Sequence, residues 1–238
     1  MRYYIDCEFI EGFHKPWFGK RRHYIDLISI AIVADDGREY FAISKEYDYK
    51  DANAWVRENV ILPLYTSTVH GDNRNHISEL DFHKSYGKSN GQIATEILQF
   101  INPHMESAVP SIVRHPFYRQ KHNISYEHGC AQPDFYGYFA DYDWVLFCSL
   151  FGTMASLPKG FPMYMRDLKQ MLDAGADAII HKGTAGTIDS EIRAQLSMEE
   201  KMKMIEQFPG FPVNENEHDA LADARWTRDL HKFLLARG

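Results

Sequence analysis

Along the first forty-odd residues, apolar positions fall in short alternating or continuous runs. After that they recur mainly at helical spacing. Residues 3–10 (YYIDCEFI) are rich in strand formers and predict a first strand. Residues 24–34 (YIDLISIAIVA) predict a second, Asp35-Asp36-Gly37-Arg38 a tight turn, and residues 39–44 (EYFAIS) a third, giving an antiparallel meander. Residues 51–60 predict a helix that stops before Pro63. The polar stretch 65–90, rich in Gly, Asn and His, predicts a long loop or insertion. Ile93, Ile97, Leu98 and Ile101 share one face of a helix over 91–101. Residues 135–140 predict a fourth strand and 144–151 an apolar helix. Further helices follow over 165–174, closed by Gly175, then over 198–207 and 220–236. A meander followed by alternating strand and helices predicts an α/β domain with a mixed sheet flanked by helices.

With 238 residues, the chain is read as a single domain spanning 1–238 that needs no covalent staples. Its departures from a minimal pattern fall near 12–23, 65–90, 113–134 and 177–216, and are read as insertions. The longest apolar run is strand-sized, so no membrane span is expected. The start MRYYI reads as a strand rather than a signal peptide, and three scattered cysteines (Cys7, Cys130, Cys148) suggest reduced thiols, so a cytoplasmic setting is expected. A net charge of −7 argues against a protein that coats nucleic acid by bulk attraction. It does not argue against a carboxylate-built metal site, where bound cations reverse the local charge.

Three groups of acids carry candidate chemistry. Asp6 and Glu8, at i and i+2 of a strand, point to one face. A divalent cation would offset their repulsion; a wet strand edge would tolerate it without one. Asp141-Tyr142-Asp143 follows the fourth strand. One of its aspartates could simply cap a helix, yet the end of a central strand is also a common place for sites in α/β sheets. His218 and Asp223 diverge by about 140° on one ideal helix, so they meet only if His218 lies on the loop before it. Asp219 can cap that helix.

In this order, Asp-X-Glu on an early strand, Tyr-Asp after a mid-chain strand and His-X4-Asp in a late helix resemble the three motifs of the DEDDh 3′–5′ exonucleases. Within that group the likeness is to the mycobacterial polyadenylate-specific 3′-exoribonuclease AS family. It rests on MRYYIDCEFIE at 1–11, on DLISI through GREY at 26–40 and on HDALADA at 218–224, with AWVR at 54–57 in support. The resemblance implies an RNase H-like fold and a metal-dependent exoribonuclease that releases nucleoside 5′-monophosphates from single-stranded 3′ ends. Asp6, Glu8, Asp143 and Asp223 would hold two Mg²⁺ or Mn²⁺ ions, oxygen ligands suiting these hard cations. His218 would act as general base, with Glu8 counted beside it as catalytic. Asp141 is the rival of Asp143; the family pattern, with an aromatic residue directly before the acid, favours Asp143.

Expected substrate contacts are Phe9 and Tyr142 beside the acids, and Trp17, Lys20, Arg21 and Arg22 on the insertion after the first strand. Arg114, Phe117, Tyr118, Arg119 and Lys121 interleave basic and aromatic residues, as a single-strand binder or a solvated arm would. His115, His122, His128 and Cys130 match no compact zinc motif. The expected partner is single-stranded nucleic acid, RNA before DNA, with no membrane and with a homodimer left open. A DNA exonuclease of the same chemistry and a non-catalytic RNA-binding or scaffold domain remain the alternatives. Four acids and a histidine kept together count against an idle site.

Overall fold

The computed structural model describes residues 1–14, 17–69, 77–102 and 132–237. Among the described residues, five strands form one sheet: β1 (Arg2–His14), β2 (Arg22–Ala34), β3 (Glu39–Ile43), β4 (Asp134–Gly137) and β5 (Arg166–Asp167). Their order is β3-β2-β1-β4-β5. β1 and β2 pair antiparallel, as do β2 and β3; β4 runs parallel to both β1 and β5. This is the mixed sheet with helices on both faces expected of an RNase H-like domain.

The helices are α1 (Ala54–Val56), α2 (Leu62–Val69), α3 (Phe82–Tyr86), α4 (Asn90–Ile101), α5 (Asp141–Leu150), α6 (Leu168–Gly183), α7 (Ser190–Gln195), α8 (Met198–Ile205) and α9 (Ala220–Arg237). Alternation along β1 divides the core. Tyr3, Ile5 and Cys7 pack with Ile93, Ile97, Leu146 and Phe147 of α4 and α5. Tyr4 points the other way, to Leu168, Leu172, Ala224 and Leu230 of α6 and α9. A third cluster joins Ile10 and Ile28 to Val56, Val60, Ile61 and Phe82.

Several boundaries differ from the sequence reading. The helix expected to stop before Pro63 runs through it: α1 passes into a π-turn, Arg57–Ile61, and then into α2. The Leu62 N–H reaches back to the Arg57 carbonyl, and that wider turn sits just ahead of the ring that would crowd an α-helix. The stretch read as a loop over 65–90 therefore begins as helix and contains α3. The helix expected over 165–174 starts later, because Arg166 and Asp167 pair with β4. Asp167 caps it, accepting from the Lys169 and Gln170 N–H groups. It does not close at Gly175, since buried Ala176, Ile179 and Ile180 carry it on against the core. The stretch read as an insertion at 12–23 begins and ends in a β-ribbon, where Gly12, Phe13 and His14 of β1 pair with Tyr24, His23 and Arg22 of β2. Most of the insertion at 113–134, with its histidines, cysteine and basic-aromatic run, lies outside the described residues.

Candidate active site

By the same alternation that sends Tyr4 toward α9, Asp6 and Glu8 leave the sheet on the α9 side. Asp223 comes from the first turn of α9. The carboxylate oxygens of Asp6, Glu8 and Asp223 lie within 4.8 Å of one another. A bulge sits at this point: Glu8 is opposite Ser29 but Phe9 is opposite Leu27, leaving Ile28 unmatched. The extra residue turns Ile28 into the third cluster, while Leu27 joins the same core cluster as Phe9. Such bulges are common beside active sites, where they re-aim side chains.

Asp143 approaches from the other edge of β1. β4 pairs β1 only as far as Tyr4, and the chain then turns into α5. The Cys7 N–H, left without a strand partner, donates to the Asp143 carboxylate at 2.9 Å. Asp143 is buried against the β1 backbone while Asp141 is exposed. Its oxygens are not part of the three-acid cluster; its contact is with the backbone between Asp6 and Glu8. Cys7 itself packs in the core, away from the acids.

His218 lies on the loop before α9, as its spacing from Asp223 requires. It adopts a left-handed backbone, φ 68°, and its N–H donates to Asp223 Oδ2 at 2.9 Å. Asp219 caps α9 through the Leu221 and Ala222 N–H groups at 3.0 and 2.9 Å. Two neighbours escaped the sequence reading. The Asn214 amide donates to Asp223 Oδ1. The Trp55 ring meets the His218 imidazole edge-on, with centroids 4.8 Å apart. Trp55 stood in the stretch likened to the family but had no role assigned there. Nothing in the spacing of Asn214 marked it. Phe9 and Tyr142 pair at 5.3 Å on the opposite face of β1. Trp17, Lys20, Arg21 and Arg22 sit at the far end of the ribbon, where Trp17 is 93% exposed.

The acids strain one another. Burial, followed by the charges of Asp143, Glu8 and Asp223, pushes the Asp6 carboxyl well above its usual range. Burial and then Asp223 and Asp143 push Glu8 up to about 8. Burial raises Asp143 to about 7 despite its bond from Cys7, and raises Asp223. The largest charges acting on Asp6 and Glu8 are all those of other acids. A cluster of oxygen donors with no cation among them fits a hard divalent ion.

No protein-family model matches the chain. Two curated relatives do. The 3′–5′ exoribonuclease Rv2179c of Mycobacterium tuberculosis (strain ATCC 25618 / H37Rv) is 30% identical over 173 residues, 72% of this chain and 73% of the relative. The 3′–5′ exoribonuclease MT2234.1 of M. tuberculosis (strain CDC 1551 / Oshkosh) matches to the same extent. With that identity over most of both chains, and acids gathered from β1, α5 and α9, the chain belongs to the family of these 3′–5′ exoribonucleases.

Proposed function

We propose that the protein removes nucleotides from the 3′ end of single-stranded RNA and releases nucleoside 5′-monophosphates. The observation that carries this reading is the meeting of Asp6, Glu8 and Asp223, from two distant parts of the chain, within 4.8 Å. With Asp143 against the Cys7 N–H, they form a donor set suited to two Mg²⁺ or Mn²⁺ ions. Such ions would supply activation of the attacking water and stabilisation of the leaving 3′ oxygen. The chain's own residues do the rest. His218, exposed on its loop and tied through its N–H to Asp223, accepts the proton from the water. Trp55 limits the swing of that imidazole. Phe9 and Tyr142 offer rings to the terminal nucleotide, and the ribbon residues Trp17, Lys20, Arg21 and Arg22 contact the strand upstream.

The experiment is degradation of 5′-labelled single-stranded RNA and DNA with Mg²⁺, with Mn²⁺ or with EDTA. A ladder shortening from the 3′ end, with nucleoside 5′-monophosphates released and activity lost in EDTA, is expected. RNA degraded in EDTA, or a 3′-phosphate product, overturns the mechanism. DNA degraded faster than RNA overturns the sugar preference alone.

A further inference from the structure

We propose that the β1–β2 ribbon is a stacking track for single-stranded RNA that gives the enzyme a footprint of about six nucleotides upstream of the 3′ end. This rests on the exoribonuclease reading above and adds a substrate-length requirement to it. Among the described residues, β3 pairs with β2 over residues 29–33, and β4 meets β1 over Arg2–Tyr4. Among the described residues, β1 from Phe9 outward is therefore paired with β2 alone and projects from the sheet.

On alternation, Phe9, Glu11 and Phe13 share one face of this ribbon, the one turned away from Asp6 and Glu8, so the 3′ end crosses the edge of β1 that β4 stops covering after Tyr4 to reach the acids. Their surroundings form a row. Phe9 packs on Tyr142 at the inner end. Phe13, 53% exposed, meets the ring of His23 at 5.3 Å and carries the Arg21 guanidinium 4.0 Å over its own ring. Trp17 and Phe18, 93% and 87% exposed, stand at the outer end with Lys20 and Arg22. Glu11 is the one acid of β1 in this row, and it is partly answered by His23, whose Nε2 lies 3.5 Å from it.

Rings interleaved with cations match what a single strand presents, namely bases with π-faces and a chain of phosphates. A chain of net charge −7 otherwise repels a polyanion, so three exposed cations at one tip mark where the strand is drawn in. His14 lies six positions beyond Glu8, about 20 Å at 3.3 Å per step. At about 3.4 Å per stacked nucleotide that spans roughly six nucleotides.

The test compares kcat/KM on 5′-labelled single-stranded RNAs of three and twelve nucleotides with the same 3′ sequence. The wild-type protein is expected to favour the longer RNA. Phe13→Ala and the double variant Trp17→Ala/Phe18→Ala are expected to lower kcat/KM on it by roughly five- to 100-fold, bringing the twelve-to-three ratio toward one. Lys20→Ala/Arg21→Ala/Arg22→Ala should lower the salt slope of log K for the twelve-nucleotide RNA, read by anisotropy, by about 0.7 for each phosphate no longer neutralised. Folding of each variant is checked by its thermal melt, and the exposed tip lets the second variant stand in if Phe13→Ala fails to fold. A wild-type protein that cleaves both RNAs with equal kcat/KM overturns the track and leaves the exonuclease reading intact. One that cleaves neither overturns that reading too. Self-association that disappears in Trp17→Ala/Phe18→Ala, with the length ratio unchanged, assigns the ribbon to contact between copies and overturns the track.

Discussion

Replacing Glu8 by glutamine in the metal-free protein separates electrostatic strain from packing. Glu8 is raised to about 8 from an ordinary 4.5 because burial and the charges of Asp223, Asp143 and Asp219 disfavour its ionised form. A carboxyl raised on folding contributes stability that is fully present below the unfolded pKa and is lost as pH rises through the folded one. Between pH 4.5 and 8 the folded protein holds a proton that the unfolded chain has released. At 1.36 kcal/mol per pH unit, Glu8 alone costs the metal-free protein roughly 3 kcal/mol by pH 7. Asp6, Asp143 and Asp223 are raised as well and act in the same direction. Glu8→Gln keeps the shape and removes the charge. Urea unfolding in EDTA at pH 5 should find the two proteins alike. At pH 7 the variant should be more stable by about 3 kcal/mol. Mg²⁺ at about 100 times its dissociation constant should then restore on the order of 2.7 kcal/mol to the wild type and much less to the variant. A variant no more stable than wild type at pH 7, or a difference that shrinks from pH 5 to 8, would refute the reasoning.

His218→Ala should lower kcat by roughly 10²–10⁴ while calorimetry finds Mg²⁺ binding nearly unchanged; loss of metal affinity as great as in Asp223→Ala would make the histidine a ligand. Asp143→Asn should abolish turnover, whereas exposed Asp141→Asn should keep it, and an RNA degradation assay on both separates the two aspartates. Asn214→Ala frees Asp223 Oδ1 of its amide, so the Mg²⁺ concentration for half-maximal activity should rise several-fold; an unchanged titration curve would deny Asn214 any part in holding that carboxylate. Gly12→Ala places a Cβ 2.7 Å from the Tyr24 hydroxyl oxygen and should cost about 1–3 kcal/mol in a chemical denaturation series.

The strands of the meander and the three acid-bearing segments were legible because each depends on short-range pattern. Tyr3 and Tyr4 part to opposite faces by alternation alone, and the same rule puts Asp6 beside Glu8. The separation of His218 from Asp223 by five positions demanded a loop, and the loop is there. What stayed hidden was set by contacts between distant residues. Pro63 looks like a stop from its own chemistry, and only the π-turn before it lets the helix pass. Gly175 looks like a helix end until Ala176, Ile179 and Ile180 are seen packed on the core. The ribbon read only as an insertion because the polar residues of its outward half give no apolar period; pairing with its own return strand makes its base regular. Asn214 and Trp55 became part of the site through the approach of separate elements, which no spacing records.

The bond from Cys7 to Asp143 ties the architecture to the chemistry through a single proton donor. Where a neighbouring strand would ordinarily accept that amide hydrogen, a carboxylate does. The sheet is thus knitted, at its central strand, by one of the groups that would bind the ions. Its amide resonance is a built-in reporter, since protonation of Asp143 or arrival of a cation alters the acceptor the hydrogen faces. The same shared atom makes the complete site depend on the finished sheet. Asp143 meets the Cys7 N–H only where β1 and β4 are aligned and α5 crosses their ends, so a chain without that alignment has no complete site to offer a metal.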